Sequence, residues 1–152
     1  MSTEGLDDID LQIVKSLLRD GRMRSRAIAS ECGISESTAH NRINRLIDKG
    51  VIKGFRADVD LAVLGRPMLA NILIRFTQNA RNRMLHSAKI IAKQPGVEEV
   101  LFLAGSYDLS VKLACEDSNA LRDFVVRLSA HPEIASTETS VVMERIVGEI
   151  VD

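Results

Sequence analysis

The 152-residue sequence predicts an α+β fold in two parts: a three-helix, helix-turn-helix module and a βαββαβ ferredoxin-like sandwich. Three observations predict it. Apolar residues recur at helical spacing as far as the helix ending at Gly50, and beyond Met68 strand-like runs alternate with two helical ones. Gly21, Gly33 and Gly50 each follow a helical segment, where glycine stops helices. Between Arg19 and Arg56 there are nine basic and four acidic residues, although the whole chain carries a formal charge of −1. A positive patch in a near-neutral chain is what a phosphate-contacting module needs. The expected boundaries are 1–60 for the first module, 61–67 for a linker and 68–152 for the second.

The first helix lies in "LDDIDLQIVKSLLRDGR". Leu6, Ile9, Ile13 and Leu17 form its apolar stripe, widened by Val14 and Leu18. Asp7, Asp8 and Asp10 crowd its start, where the helix dipole favours anions. "SRAIASECG" is a second, short helix with Ile28, Ala29 and Cys32 inward. Ser35 caps a third helix that Gly50 ends. "VIKGFRADVDLAVLGRP" reads as one or two short strands and a connector.

In the second part, "LANILIRFT" is strand-like and "NRMLHSAKIIAKQPG" helical, stopping at Pro95-Gly96. "VEEVLFLAG" and "YDLSVKLAC" are strands joined at Gly105-Ser106. "DSNALRDFVVRLSAHPE" is a helix opening at Asp117 or Ser118, and "IASTETSVVMERI" is the last strand. Such a sheet covers one face with helices. A largely apolar open face is expected here, favouring oligomers. With 45% hydrophobic and only 3% aromatic residues, the core must be mostly aliphatic, and global disorder is excluded.

The third helix carries the chemistry. With Ala39, Ile43 and Leu46 inward, the opposite face presents Ser37, Asn41, Asn44 and Asp48. Thr38 and Arg45 flank it on one side and His40 on the other, with Arg42 near the boundary. Arg bonds guanine edges and Asn adenine edges bidentately, while Ser and Thr reach bases or phosphates. Arg22, Arg24, Arg26, Lys49, Lys53 and Arg56 surround this face as phosphate contacts. The competing reading is a trihelical protein-interaction module with a solvated third helix.

Other classes find little support. Cys32 and Cys115 are far apart with no CxxC, against a disulfide framework or structural zinc. His40, His86 and His131 are scattered, with no phosphate loop or nucleophile elbow, so neither catalysis nor a metal or cofactor is expected. No signal peptide or membrane-length apolar run is visible, and a cytoplasmic, nucleoid-associated protein is expected.

From Leu6 to Asp60, the marks "LDDID", "AIASECGIS" and "RINRLIDKGVIKGF" resemble the winged helix-turn-helix of the Lrp/AsnC, or feast-famine, transcription regulators. "AGSYDLSVKL" and "TETSVVMERI" resemble that family's C-terminal ligand-sensing domain, so the resemblance spans essentially the whole chain. It implies a sequence-specific regulator of double-stranded DNA that forms homodimers assembling to an octamer. A small effector, an amino acid, binds between dimers. By position, the recognition helix is Ser35 to Lys49, with Arg26, Ser35, Ser37, Thr38, His40, Asn41, Arg42, Arg45 and Lys53 as DNA contacts. The effector contacts are Gly105, Ser106, Tyr107 and Asp108, joined by Thr139 and Ser140 from a neighbouring subunit. Gly105 is expected to supply a positive φ or a close backbone approach, and Asp108 to pair with an α-ammonium group. Ala104 stands where the family often has Thr. An ordinary hairpin turn is the other reading of this loop. The alternative function is an architectural protein that wraps DNA without an effector.

Overall fold

The computed structural model describes residues 5–146 and Gly148. The outermost parts of both predicted segments, residues 1–4, 147 and 149–152, lie outside the described residues. The chain divides into two compact units between Asp58 and Val59, each with its own apolar core.

The first unit is built from α1 (Asp8–Arg19), α2 (Ser25–Cys32) and α3 (Glu36–Asp48). Ile13, Ile28, Ala39 and Leu46 are fully buried at its centre, with Ala29 beside them. Leu6, Ile9, Val14 and Leu17 pack around this core at the predicted spacing. Leu18 does not join them. It is 55% exposed, because at about 100° per residue it lies roughly 140° round the helix from Ile13, beyond Val14 at the edge of the stripe. Gly33 closes α2 at φ 64° and Gly50 turns the chain after α3 at φ 69°, a left-handed conformation that glycine adopts without strain. The predicted strands after α3 are absent: residues 51–60 form none. Gly54 sits at φ 144° and residues 53–60 are all exposed, so no burial fixes a register for pairing there.

In the second unit, Asp60 caps a 3₁₀ turn, Leu61–Leu64, by accepting from Ala62 N at 2.9 Å. The stretch predicted as a linker is therefore a structured lead-in to this unit. Then follow β1 (Met68–Phe76), a 3₁₀ segment (Gln78–Arg83), α4 (Met84–Ile91), β2 (Val97–Phe102), β3 (Leu109–Cys115), α5 (Ser118–Ser129) and β4 (Ile134–Val141). The last strand stops five residues short of the predicted end at Ile146. The sheet order is β2-β3-β1-β4, antiparallel throughout, the arrangement of the ferredoxin-like fold. Alternation sends Ala70, Ile72, Ile74 and Phe76 of β1 to the helix-covered face, with Leu109, Val111 and Leu113 of β3. Ala88, Ile91, Leu121, Phe124 and Leu128 cover them.

The open sheet face departs from the largely apolar surface expected. Leu69, Leu73 and Ala114 lie among polar neighbours: Asn71 pairs across with Lys112 and Ser140, and Arg75 with Ser136. Ser110 Oγ donates to Asn71 Oδ1 at 2.6 Å. The polar residues of β3 and β4 fall on this face by register, which hydrophobic content alone does not reveal.

Candidate DNA-binding face and effector loop

Ser35 is the N-cap of α3. Its Oγ accepts from Thr38 N at 3.1 Å and lies 2.7 Å from Thr38 Oγ1 and 3.0 Å from Ser37 Oγ. The predicted DNA contact Ser35 is thus engaged in capping, where such a hydroxyl satisfies an otherwise orphaned helix N–H. Burial of Ala39 and Leu46 turns Ser37, Thr38, His40, Asn41 and Asn44 outward, and all five are exposed. Asn44 Nδ2 lies 3.1 Å from His40 Nε2. Asn41 has no such side-chain bond among the described residues, so its amide presents both donor and acceptor to an incoming base edge.

Arg42 and Arg45 point elsewhere. Asp7 and Asp10 form a capping box at the start of α1: Asp10 N donates to Asp7 Oδ1 at 2.8 Å and Asp7 N to Asp10 Oδ2 at 3.3 Å. Arg42 Nη1 reaches both Asp7 oxygens at 2.7 Å and Asp10 Oδ1 at 2.9 Å. Arg45 Nη2 reaches Asp10 Oδ2 at 2.5 Å. Asp10 is fully buried, while the Arg42 and Arg45 side chains are 22% and 45% exposed. A buried carboxylate needs this pairing, because leaving it without a partner costs several kcal/mol. The Arg42 hydrogen bond, aided by the Asp10 N–H, holds the Asp7 carboxyl below the usual carboxylate range. Two of the predicted base-reading arginines are therefore drawn onto α1, where they fix α3 in place.

Sequence reasoning missed Asp10 as a core residue. The signal was present: Asp10 falls three residues before Ile13 and four after Leu6, on the buried stripe, and Arg42 lies between Ala39 and Leu46 at the same spacings. Arg26 and Lys53 are exposed, as are Arg22, Arg24 and Arg56. None of these five forms an ion pair among the described residues. By contrast Arg19 is held by Glu31 at 2.8 Å.

In the second unit, residues 103–108 connect β2 to β3. Asp108 N donates to Ile74 O at 2.9 Å, and Asp108 Oδ2 accepts from Phe76 N at 2.7 Å. The carboxylate expected to meet an ammonium group is thus already bonded to the end of β1. Gly105 has no positive φ, and a Cβ there would meet nothing within 4 Å. The expected conformational role of this glycine is not seen; it borders open space. Ser106 O accepts from Arg75 Nε at 2.8 Å, and the Arg75 guanidinium lies 5.3 Å from the centre of the Tyr107 ring. The Tyr107 hydroxyl donates to Glu138 Oε2, and that bond pushes the phenol's pKa up. Glu138 and Ser140 pair with Leu73 and Asn71 on the open face. Thr139 pairs with Ile72 and points to the other side. Within one chain, then, only Ser140 of the two β4 candidates shares a face with Arg75 and Glu138.

A winged helix-turn-helix DNA-binding model matches residues 6–53, and the Lrp/AsnC ligand binding domain matches residues 69–150. The chain belongs to the Lrp/AsnC family. It is a helix-turn-helix transcription regulator with a ligand-binding domain. Among Lrp/AsnC relatives, it is 38% identical over 144 residues to the HTH-type transcriptional regulator AldR of Mycobacterium tuberculosis, covering 94% of this chain and 80% of that one. It is 37% identical over 139 residues to the regulator FL11 of Pyrococcus horikoshii, covering 91% and 90%. The crystal structure of the M. tuberculosis AldR superposes with a TM-score of 0.83 at 33% identity, covering 97% of this chain and all of that one. A Neisseria meningitidis transcriptional regulator, solved in complex with L-Met, matches the fold with a TM-score of 0.83 at 23% identity, covering 95% and 94%. No helix among the described residues is long and apolar enough to cross a membrane.

Proposed function

We propose that this regulator reads duplex DNA with the exposed face of α3 and that an amino acid, held at the 103–108 loop of assembled copies, shifts that binding. The observation that carries the reading is Asn41. It stands exposed on a polar face and without a side-chain bond among the described residues, in a unit whose exposed Arg22, Arg24, Arg26, Lys53 and Arg56 form no ion pair among those residues. In this reading Ser37, Thr38, His40 and Asn41 meet base edges, and Ser35 contributes through the helix N-terminus it caps. Arg26 and Lys53 hold phosphates. Arg42 acts through the position of the helix, and Arg45 reaches DNA with whatever donors Asp10 leaves it. The DNA-reading part takes residues 1–60 and the sensing part residues 68–152.

An amino-acid effector is supported by the matched ligand-binding domain and by the L-Met held by the Neisseria protein. Gly105, Ser106, Tyr107, Asp108, Thr139 and Ser140 form its site when a second copy completes the cleft. Homodimers assembling to octamers supply that copy, and the protein works on the nucleoid, without a cofactor and without catalysis. The effector acts only through a difference in its affinity for two assembly or DNA-bound states.

Fluorescence anisotropy on duplexes from the region upstream of the protein's own gene, at one salt concentration, tests this. Each common amino acid is added in turn. The expected result is sequence-specific binding that one amino acid shifts. Specific binding that no amino acid shifts would remove the effector. Equal affinity for unrelated duplexes would favour an architectural role.

A further inference from the structure

Between α4 and α5 the second unit holds a cavity of about 220 Å³. Phe76, Ile91, Phe124 and Leu128, all buried, make its apolar floor. Gln94, Arg127 and His131 stand on its exposed rim. Arg127 forms no ion pair among the described residues. His131 Nδ1 accepts from Glu133 N at 3.3 Å. That bond places the neutral ring's proton on Nε2, so the ring has a donor to offer.

The carboxylate nearest this rim is already satisfied. Ser87, which lines the cavity, donates from Oγ to Glu133 Oε2 at 2.6 Å, and Arg83 Nη2 lies 2.8 Å from Glu133 Oε1. The Ser87 bond, with the Arg83 charge, holds the Glu133 carboxyl below its ordinary range. The cavity therefore combines an apolar floor with a rim of donors and, among the described residues that line it, no carboxylate. We propose that it binds a small monocarboxylate with an aromatic or branched apolar body and no ammonium group, the class that includes 2-oxo acids. Its volume is about seven times the ~30 Å³ share of one water, below the size that drug-like ligands occupy. Arg127 bonds the carboxylate, with the His131 Nε2–H and the Gln94 amide as further donors. An ammonium group would stand beside the like charge of Arg127, while Glu133 is already held by Ser87 and Arg83. The cavity opens on the helix face of the sheet, whereas Arg75 and Glu138 lie on the open face. It is thus separate from the 103–108 loop.

Calorimetric titration of the full chain with 3-phenylpropanoate tests the site, with L-phenylalanine as competitor. One 3-phenylpropanoate per chain is expected, with L-phenylalanine failing to displace it. Arg127→Gln is expected to weaken binding roughly ten-fold or more. Ile90→Trp, at a half-exposed lining position, should fill the cavity and abolish binding, while Tyr107→Phe leaves it unchanged. In the unmodified chain, NMR cross-relaxation should connect the ligand ring to Phe76, Phe124 and Leu128, which holds the test open even where a variant misfolds. No binding at ~10 mM, an affinity weaker than the millimolar range, would overturn the proposal. So would equal competition by L-phenylalanine, binding that survives Ile90→Trp, or cross-relaxation to the 103–108 loop instead.

Discussion

Each unit holds a cluster of arginine and carboxylate, and the two are built in opposite ways. In the first, Asp10 is fully buried beneath Arg42 and Arg45. In the second, Arg75, Tyr107 and Glu138 gather on an open sheet face, with Arg75 and Glu138 exposed. A charge sunk in a core tolerates one geometry, since any slip leaves it unpaired, so the first cluster fixes a helix. A cluster at the surface exchanges its bonds with water at little cost, so the second is able to trade partners for a ligand or a second chain. The difference suits the proposed tasks, in which a reading helix must be held still and a sensing loop must answer.

The two clusters should differ most at Asp10. Asp10→Ala should cost about 1–3 kcal/mol, since it removes the buried anchor that Arg42 and Arg45 share while leaving Arg42 its Asp7 partner, read as a lower denaturant midpoint of the helical signal. Tyr107→Phe should leave the midpoint where it was. If Asp10→Ala were neutral, the buried cluster would not be what holds α3. A similar contrast holds between two glycines of the second unit. Gly96 lies at φ 84°, and a Cβ there would stand 2.4 Å from Ala114 O, whereas Gly105 has open space. Gly96→Ala should therefore cost about 2–3 kcal/mol, and Gly105→Ala close to nothing, in the same unfolding measurement.

A finer test separates clamping arginines from phosphate-binding ones. Each phosphate contact removed from duplex DNA lowers the slope of log affinity against log salt by about 0.9. Arg26→Gln should show that loss. Arg42→Gln should weaken binding through the helix position with the slope unchanged, and a fall in its slope would return Arg42 to the DNA. The smallest effect concerns acid. The Asp7 carboxyl is held below its usual range, by Arg42 first. Its stabilisation is therefore complete above the ordinary carboxylate value near 4 and is lost as pH falls below it. Asp7→Asn should flatten that part of the stability curve for the first unit. A curve that kept its slope would show that the Arg42 pair contributes nothing there.

Much of the fold was legible because local signals agreed with one another. Gly33 and Gly50 end helices where spacing said they would, and the βαββαβ order follows from alternation broken by Pro95-Gly96 and Asp117. What was not legible depends on partners distant in sequence. Asp10 reads as a first-turn acid until α3, 32 and 35 residues away, delivers Arg42 and Arg45. The polarity of the open face depends on which residues of β3 and β4 lie beside Asn71 and Arg75. Asp108 reads as a ligand group until the end of β1 supplies the Phe76 N–H. Residues 51–60 have strand-like composition, but only Ile52 packs against the core and residues 53–60 are all exposed.

The most direct test of the account is anisotropy with Asn41→Ala on a specific duplex and a scrambled one, at a single salt concentration. Discrimination between the two is expected to fall by about 1–3 kcal/mol, with non-specific binding unchanged. Undiminished discrimination would contradict it, and would mean that the exposed face of α3 does not read the bases.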